Sequence, residues 1–220
     1  MRYDNIPLVS YTKGEEAVNT ASHAAGLVLS VLIVIYCLLP SARAGDVFRT
    51  VCAALYCLGT TVMFLTSALY HGAKPGYKKK VLRLLDHCMI YFAVAGTATG
   101  TAPAVVATIG VFPAVLMIVC AWVGACAGLA LTFFSFERTK GIQMALYIAT
   151  GIVCAFCGGG AFKHLPKGAL YALLVGGGLL LVGAALYSVG KKLRYIHCVF
   201  HFFIDAGLAV FYWGIVTYVY

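Results

Sequence analysis

The amino-acid sequence predicts an all-α integral membrane protein, a bundle of seven transmembrane helices that forms a single domain over residues 1–220. The first observation is composition: 62% of the residues are hydrophobic and 10% are charged, whereas soluble domains average about 25% charged residues. The second is that the apolar residues form long runs without strand-like alternation, which indicates spanning helices and excludes a barrel. A soluble fold of this length could not bury so much apolar surface, so the bilayer is expected to solvate most of it.

Seven apolar runs are long enough to span, since about 20 apolar residues cross a hydrocarbon core of about 30 Å. The predicted spans are roughly residues 20–39, 49–70, 84–104, 109–133, 142–161, 169–189 and 196–219. The third and fourth spans are expected to meet in a tight turn near Pro103 and Pro113. Small residues four apart, which permit close helix contact, occur at Gly96/Gly100 and Gly124/Gly128. The mixed polar start of the chain predicts no cleavable signal peptide.

The basic residues predict the orientation of the bundle. Twelve of the 16 fall on the side of the N-terminus, namely Arg2, Lys13, Lys74, Lys78, Lys79, Lys80, Arg83, Arg138, Lys140, Lys191, Lys192 and Arg194. The other side holds Arg43, Arg49, Lys163 and Lys167. The positive-inside rule then predicts a cytoplasmic N-terminus and an outside C-terminus, with the run Lys78–Lys80 as a topology determinant.

The formal net charge of +9 is accordingly assigned to contacts with anionic lipid head groups and not with nucleic acid. We expect a multi-pass protein of the cell membrane whose partners are membrane lipids. The sequence leaves the oligomeric state open.

Polar and ionisable residues gather at the predicted cytoplasmic end of the bundle. Ser67 and His71 end the second span, Asp86 begins the third, and His197 and His201 begin the seventh. Residues four apart share a helix face, and ionisable groups at membrane depth normally face the interior of a bundle. We therefore expect His71, His197 and His201 to lie at one depth in the bundle.

Three imidazoles are a sufficient ligand set for Zn²⁺ with a fourth position left for water, the pattern of catalytic zinc sites. The segment His197-Cys198-Val199-Phe200-His201 lacks the glutamate of the metalloprotease motif. A proton acceptor must then come from elsewhere, and Asp86 is the predicted one, with Ser67 as a hydrogen-bond donor to water or a substrate carbonyl.

Three further polar residues are predicted to surround the ligands. They are Asn19, His23 and Asp205. Asp205 would either accept a hydrogen bond from an interior partner or orient His201 as an outer carboxylate.

Four stretches of the chain resemble the hemolysin III family, within the wider superfamily of progestin and adipoQ receptors and alkaline ceramidases. They are Glu15-Glu16-Ala17-Val18-Asn19 with Ser22-His23 and Gly26; Ser67-Ala68-Leu69-Tyr70-His71; Leu84-Leu85-Asp86-His87 with Ile90-Tyr91 and Ala95-Gly96-Thr97; and His197-Cys198-Val199-Phe200-His201 with Phe202-Phe203. The resemblance implies a seven-helix fold with its N-terminus inside and zinc on His71, His197 and His201. It also implies that Ser67 and Asp86 match the family's serine and aspartate.

The sequence leaves several functions open. The leading hypothesis is a zinc-dependent hydrolase of a membrane lipid, with a ceramide-like amide suggested by analogy. The alternatives are a non-enzymatic membrane-homeostasis factor or sensor with structural zinc, a pore-forming cytolysin, and a receptor. The absence of an evident amphipathic pore-lining helix argues against the cytolysin, and the short inside loops argue against the receptor.

Overall fold

The computed structural model describes residues 6–189 and 193–220. Arg2, Lys191 and Lys192, which the orientation prediction used, lie outside that part. The described chain contains seven helices long and apolar enough to cross a membrane: α1 Lys13–Arg43, α2 Val47–Gly72, α3 Tyr77–Ile109, α4 Val111–Ser135, α5 Lys140–Gly158, α6 Lys167–Val189 and α7 Ile196–Tyr218. A 3₁₀ turn, Gly159–Lys163, extends α5. The predicted all-α, seven-span fold is therefore confirmed.

Two helices begin well before the predicted spans because their first turns are polar. Thr12 caps α1 by accepting from the Glu15 amide, and the Glu15 side chain accepts from the Thr12 amide in return. This reciprocal pair satisfies backbone donors that would otherwise lack partners. α3 similarly starts at Tyr77, and its first turns carry Lys79 and Arg83, both buried. The helices thus extend past the apolar runs and carry polar side chains to one end of the bundle.

The turn between α3 and α4 differs from the prediction. Gly110 makes the connection with φ 99°, a conformation that favours glycine. Pro103 lies inside α3 and is buried, not in the turn. Pro113 lies in the first turn of α4, where the lack of an amide proton costs no helical hydrogen bond.

The helices pack in a nearly closed ring. Each of α1 to α4 packs on the next helix, α6 packs on α7, and α7 returns to α1, while α6 meets α5 mainly at the 3₁₀ turn that extends α5. α3 also contacts α5 and, to a small extent, α7. α1, α3 and α7 begin, and α2 ends, at the same end of the ring, which we call the site end.

Close contacts between glycines and neighbouring helices support this packing. A Cβ on Gly96 would lie 2.8 Å from the Leu55 carbonyl oxygen of α2, and one on Gly100 would lie 2.9 Å from the Tyr56 ring. A Cβ on Gly124 would likewise clash with Thr150 of α5, and one on Gly128 would clash with the Tyr91 ring of α3. The close contact predicted from the small-residue spacing is confirmed.

Candidate metal centre

Three histidines converge at the site end of the bundle. His71 lies in the last turn of α2, and His197 and His201 lie in the first two turns of α7. Each can offer one ligand atom such that all three atoms lie within 4.8 Å of one another. His71 and His201 are 2% and 1% exposed, while His197 is partly exposed. The four-residue spacing places the imidazoles of His197 and His201 on the same face of α7. The packing of the bundle brings His71 of α2 against that face.

Hydrogen bonds identify which ring nitrogens point inward. His71 Nδ1 lies 2.7 Å from Glu16 Oε2, and His201 Nδ1 lies 3.2 Å from Ser22 Oγ. The Nε2 atoms of His201 and His197 are 3.1 Å apart. His71 Nε2 is buried and has no hydrogen-bond partner in the described part of the chain. The Nε2 atoms are therefore the candidate ligands.

These residues fit a transition-metal ion such as zinc. Imidazole suits Zn²⁺, and ligands at about 2.0–2.1 Å in a tetrahedron lie roughly 3.3 Å apart. The separation of the His201 and His197 Nε2 atoms is close to that value, and an ion would also satisfy His71 Nε2, which is otherwise a costly buried polar atom. Among the described residues, the group has three members, which leaves a position open for a small ligand.

Ser67 and Asp86 flank the three histidines. Ser67 is one turn before His71 on α2 and is 1% exposed, and its hydroxyl has no partner of normal hydrogen-bond length among the described residues. Asp86 on α3 is partly buried, and its carboxyl group lies close to both the Ser67 hydroxyl and His71. The structure therefore groups His71, His197 and His201, with Ser67 one turn from His71 and Asp86 near enough to interact with both Ser67 and His71.

The three surrounding residues take distinct positions. Asn19 Nδ2 lies 3.4 Å from His71 Nδ1. The His23 ring stacks on the His201 ring with centroids 3.8 Å apart. Asp205 Oδ1 lies 3.8 Å from His23 Nε2, so Asp205 faces His23, and the group beside His201 Nδ1 is the Ser22 hydroxyl.

Sequence reasoning gave no role at this site to four residues: Tyr11, Glu16, Ser22 and Lys79. Glu16, Asn19 and His23 follow one another at spacings of three and four residues, which is a helix-face signal that could have identified Glu16. The basic run Lys78–Lys80 predicts only a topology determinant. In the structure, however, Lys79 is 3% exposed and its ammonium lies 2.6 Å from Glu16 Oε1. Glu16 and Lys79 are 63 residues apart, so no local sequence pattern relates them.

The segment before α1 covers the site. The Tyr11 ring stacks on the His197 ring with centroids 5.0 Å apart and an interplanar angle of 20°, and it lies 5.7 Å from the His71 ring. Burial raises the pKa of the Tyr11 phenol above its usual value, so the phenol stays neutral. The Arg83 guanidinium donates to the Pro7 carbonyl oxygen and to Glu137 Oε1, which ties this segment to α3.

A cavity of about 540 Å³ opens beside the segment. Its lining includes Tyr11, Glu15, Arg83, Lys140 and Arg194. Tyr11 belongs to the lining and also stacks on His197, so its ring lies between this cavity and the histidine group.

The fold and the site define a class: a multi-pass membrane protein with a buried three-histidine group able to hold a metal ion at one end of its bundle. The model of the family described as Haemolysin-III related matches residues 11–212, so the chain belongs to that family.

Similar proteins occur in bacteria and mammals. The chain is 27% identical to the Hemolysin-3 homolog of Bacillus subtilis (strain 168), covering 94% of this chain and 96% of the relative. It is 25% identical to Hemolysin-3 of Bacillus cereus, over 93% and 92% of the two chains. It is also 25% identical to the human Monocyte to macrophage differentiation factor, over 90% and 84%. The bacterial relatives are consistent with a location in the cell membrane.

Proposed function

We propose that the protein is a zinc-dependent hydrolase that cleaves an amide bond in a membrane lipid. The observation that carries the proposal is the composition of the site: three imidazoles, a position without a protein ligand, and a serine and an aspartate beside it. Structural zinc sites are normally closed by four protein ligands, whereas catalytic sites keep one position for water or substrate.

The protein side chains have separate tasks in this reaction. A zinc ion at the three histidines would polarise the substrate carbonyl and acidify the attacking water. Asp86 accepts a proton as the water oxygen bonds to the carbonyl carbon. Ser67 donates a hydrogen bond to the carbonyl oxygen. When the carbon–nitrogen bond breaks, Asp86 returns the proton to the departing nitrogen, which leaves a fatty acid and an amine.

Two features support a lipid substrate at the cytoplasmic leaflet. The site lies within helices whose outer faces are apolar, so a lipid can approach from the side. The described basic residues Lys74, Lys78, Lys80, Arg138 and Arg194 lie at the site end, which we place in the cytoplasm on the positive-inside rule. The preference for a ceramide-like amide follows from the resemblance to alkaline ceramidases.

Metal analysis combined with a lipid assay tests this function. Purified protein is expected to contain one zinc ion per chain, and the triple variant His71→Ala, His197→Ala, His201→Ala none. Wild-type protein in liposomes with N-acylsphingosine should release fatty acid, measured by mass spectrometry. Asp86→Asn should keep its zinc and melting temperature but lose activity by about 10²- to 10⁴-fold, the usual contribution of a general acid–base group.

The outcomes separate the parts of the proposal. Equal zinc content in wild type and the triple variant would refute the metal site. Zinc in the wild type with no fatty acid released, or equal release by Asp86→Asn, would refute the hydrolase.

A second function, a sensor or homeostasis factor with structural zinc, is favoured by one observation. α6 and α7 pack mainly on each other and join the other helices largely through α1. An ion held by α2 and α7 would fasten that pair to the bundle. In this case zinc removal should lower the melting temperature while membrane lipids stay unchanged.

A further inference from the structure

The Glu16 carboxylate connects two groups that come from different helices. Its Oε2 lies 2.7 Å from His71 Nδ1, and its Oε1 lies 2.6 Å from Lys79 Nζ. Each carboxylate oxygen therefore has its own partner, one on α2 and one on α3. An ionised carboxylate only accepts hydrogen bonds, so the nitrogen facing Oε2 at 2.7 Å must carry a proton. The Asn19 amide nitrogen, 3.4 Å from the same nitrogen, then makes no hydrogen bond to it, because both groups are donors.

Lys79 has a complete set of hydrogen bonds. Besides Glu16, the ammonium donates to the carbonyl oxygens of His71 at 3.3 Å and Ala73 at 3.0 Å. Three N–H donors thus meet three acceptors, which a buried ammonium requires. Two of the acceptors are carbonyls at the C-terminal end of α2, where a positive charge is favourable.

This arrangement determines the tautomer of His71. With the proton on Nδ1, the lone pair of the neutral ring is on Nε2, the nitrogen that faces the other two histidines. Outer carboxylates that hold a ligand histidine in this way orient the ring and raise its basicity. We infer that the partly exposed Glu16 and the buried Lys79 form a positioning pair that sets the His71 tautomer and thereby the affinity of the site for zinc. The inference rests on the proposed metal site.

The substitution Glu16→Gln distinguishes this role from simple packing. The glutamine amide has one acceptor oxygen and one donor nitrogen. Since Lys79 can only donate, it holds the amide oxygen, and the amide nitrogen then faces His71 Nδ1. His71 Nδ1 must then accept a hydrogen bond, so the ring proton moves to Nε2. A protonated Nε2 has no lone pair for a metal ion, and Nε2 is the nitrogen that faces the other two histidines.

The double variant Glu16→Gln, Lys79→Met should reverse this effect. Without the ammonium, the amide can rotate so that its oxygen accepts from His71 Nδ1, and the original tautomer returns. A purely structural pair would behave in the opposite way, because removing both partners would weaken the packing further. Lys78→Met is the matched control, because it removes the same charge from the same helical turn at an exposed position.

Two measurements test the inference in full-length protein in detergent. Competition with a chelator gives the zinc affinity, and nitrogen NMR of ¹⁵N-histidine-labelled metal-free protein reports the His71 tautomer without any metal. We expect Glu16→Gln to weaken zinc binding by about 10- to 100-fold and to protonate Nε2. The double variant should recover most of the affinity, and Lys78→Met should match wild type.

The inference would be overturned if Glu16→Gln kept the wild-type tautomer and bound zinc within about twofold of wild type, or if the double variant were weaker than the single one. Neither result depends on lipid hydrolysis, so the catalytic proposal can fail while the positioning pair stands. If the wild type takes up no zinc, the metal site and its tuning by this pair are both refuted.

Discussion

Tyr11 shows how one aromatic ring can close a site without binding its ligand. The ring lies flat against His197, and the neutral phenol brings no charge to the histidine group. Because His197 is the most exposed of the three histidines, the ring covers the exposed side of the group that could hold a metal ion. The contact depends on the ring and not on the hydroxyl.

Replacing Tyr11 tests this shielding role. Aromatic pairs contribute about 0.5–1.5 kcal/mol beyond the buried area, which corresponds to roughly a 2- to 10-fold change in a rate or an affinity. We expect Tyr11→Ala to release zinc to a chelator faster by that factor, and Tyr11→Phe to behave as wild type. Equal release by all three proteins would show that the ring does not control access.

At the scale of helices, the contact between α2 and α3 sets the relative position of the site residues. α2 carries Ser67 and His71, and α3 carries Asp86 and Lys79. The two helices approach so closely at Gly96 that the Leu55 carbonyl would lie 2.8 Å from an added Cβ. A rigid backbone atom cannot move aside as a flexible side chain can, so a larger residue must separate the helices.

Gly96→Ala is therefore expected to destabilise the protein by about 1–3 kcal/mol, the usual cost of overpacking. The melting temperature in detergent measures this change. Gly177→Ala in α6 is the matched control, because nothing lies within 4 Å of its added Cβ, and it should not lower the melting temperature. Equal stability of the two variants would mean that the close contact is not required for folding.

The same elements show what sequence could and could not predict. Apolar run length is a local property, so all seven helices could be located from it. Run length does not predict the polar first turns of α1 and α3. Capping by Thr12 and burial of Lys79 stabilise these turns without making their sequence more apolar. The three histidines followed from helical spacing and shared depth. Lys79 and Glu16, 63 residues apart, share no local pattern and become partners only through packing.

At the scale of the whole molecule, the excess of basic residues at the site end predicts that this end faces the cytoplasm. All nine cysteines are free and can be replaced to give a cysteine-free background. Lys78 at the site end and Lys163 at the other end are both exposed. In intact cells, an impermeant maleimide should label Lys163→Cys and not Lys78→Cys, while both should react after lysis. The reverse pattern would place the site end outside and refute catalysis at the cytoplasmic leaflet.

The site joins the two ends of the chain, and this has a consequence for biosynthesis. The Glu15 carboxylate accepts from the Tyr195 amide, 180 residues away, at 2.8 Å, and Ser22 meets His201 across 179 residues. His71 must therefore remain without its metal-binding partners while five further helices enter the bilayer. A nascent chain that stops before α7 has one of the three histidines, so the group that could hold a metal ion is complete only once α7 is in place.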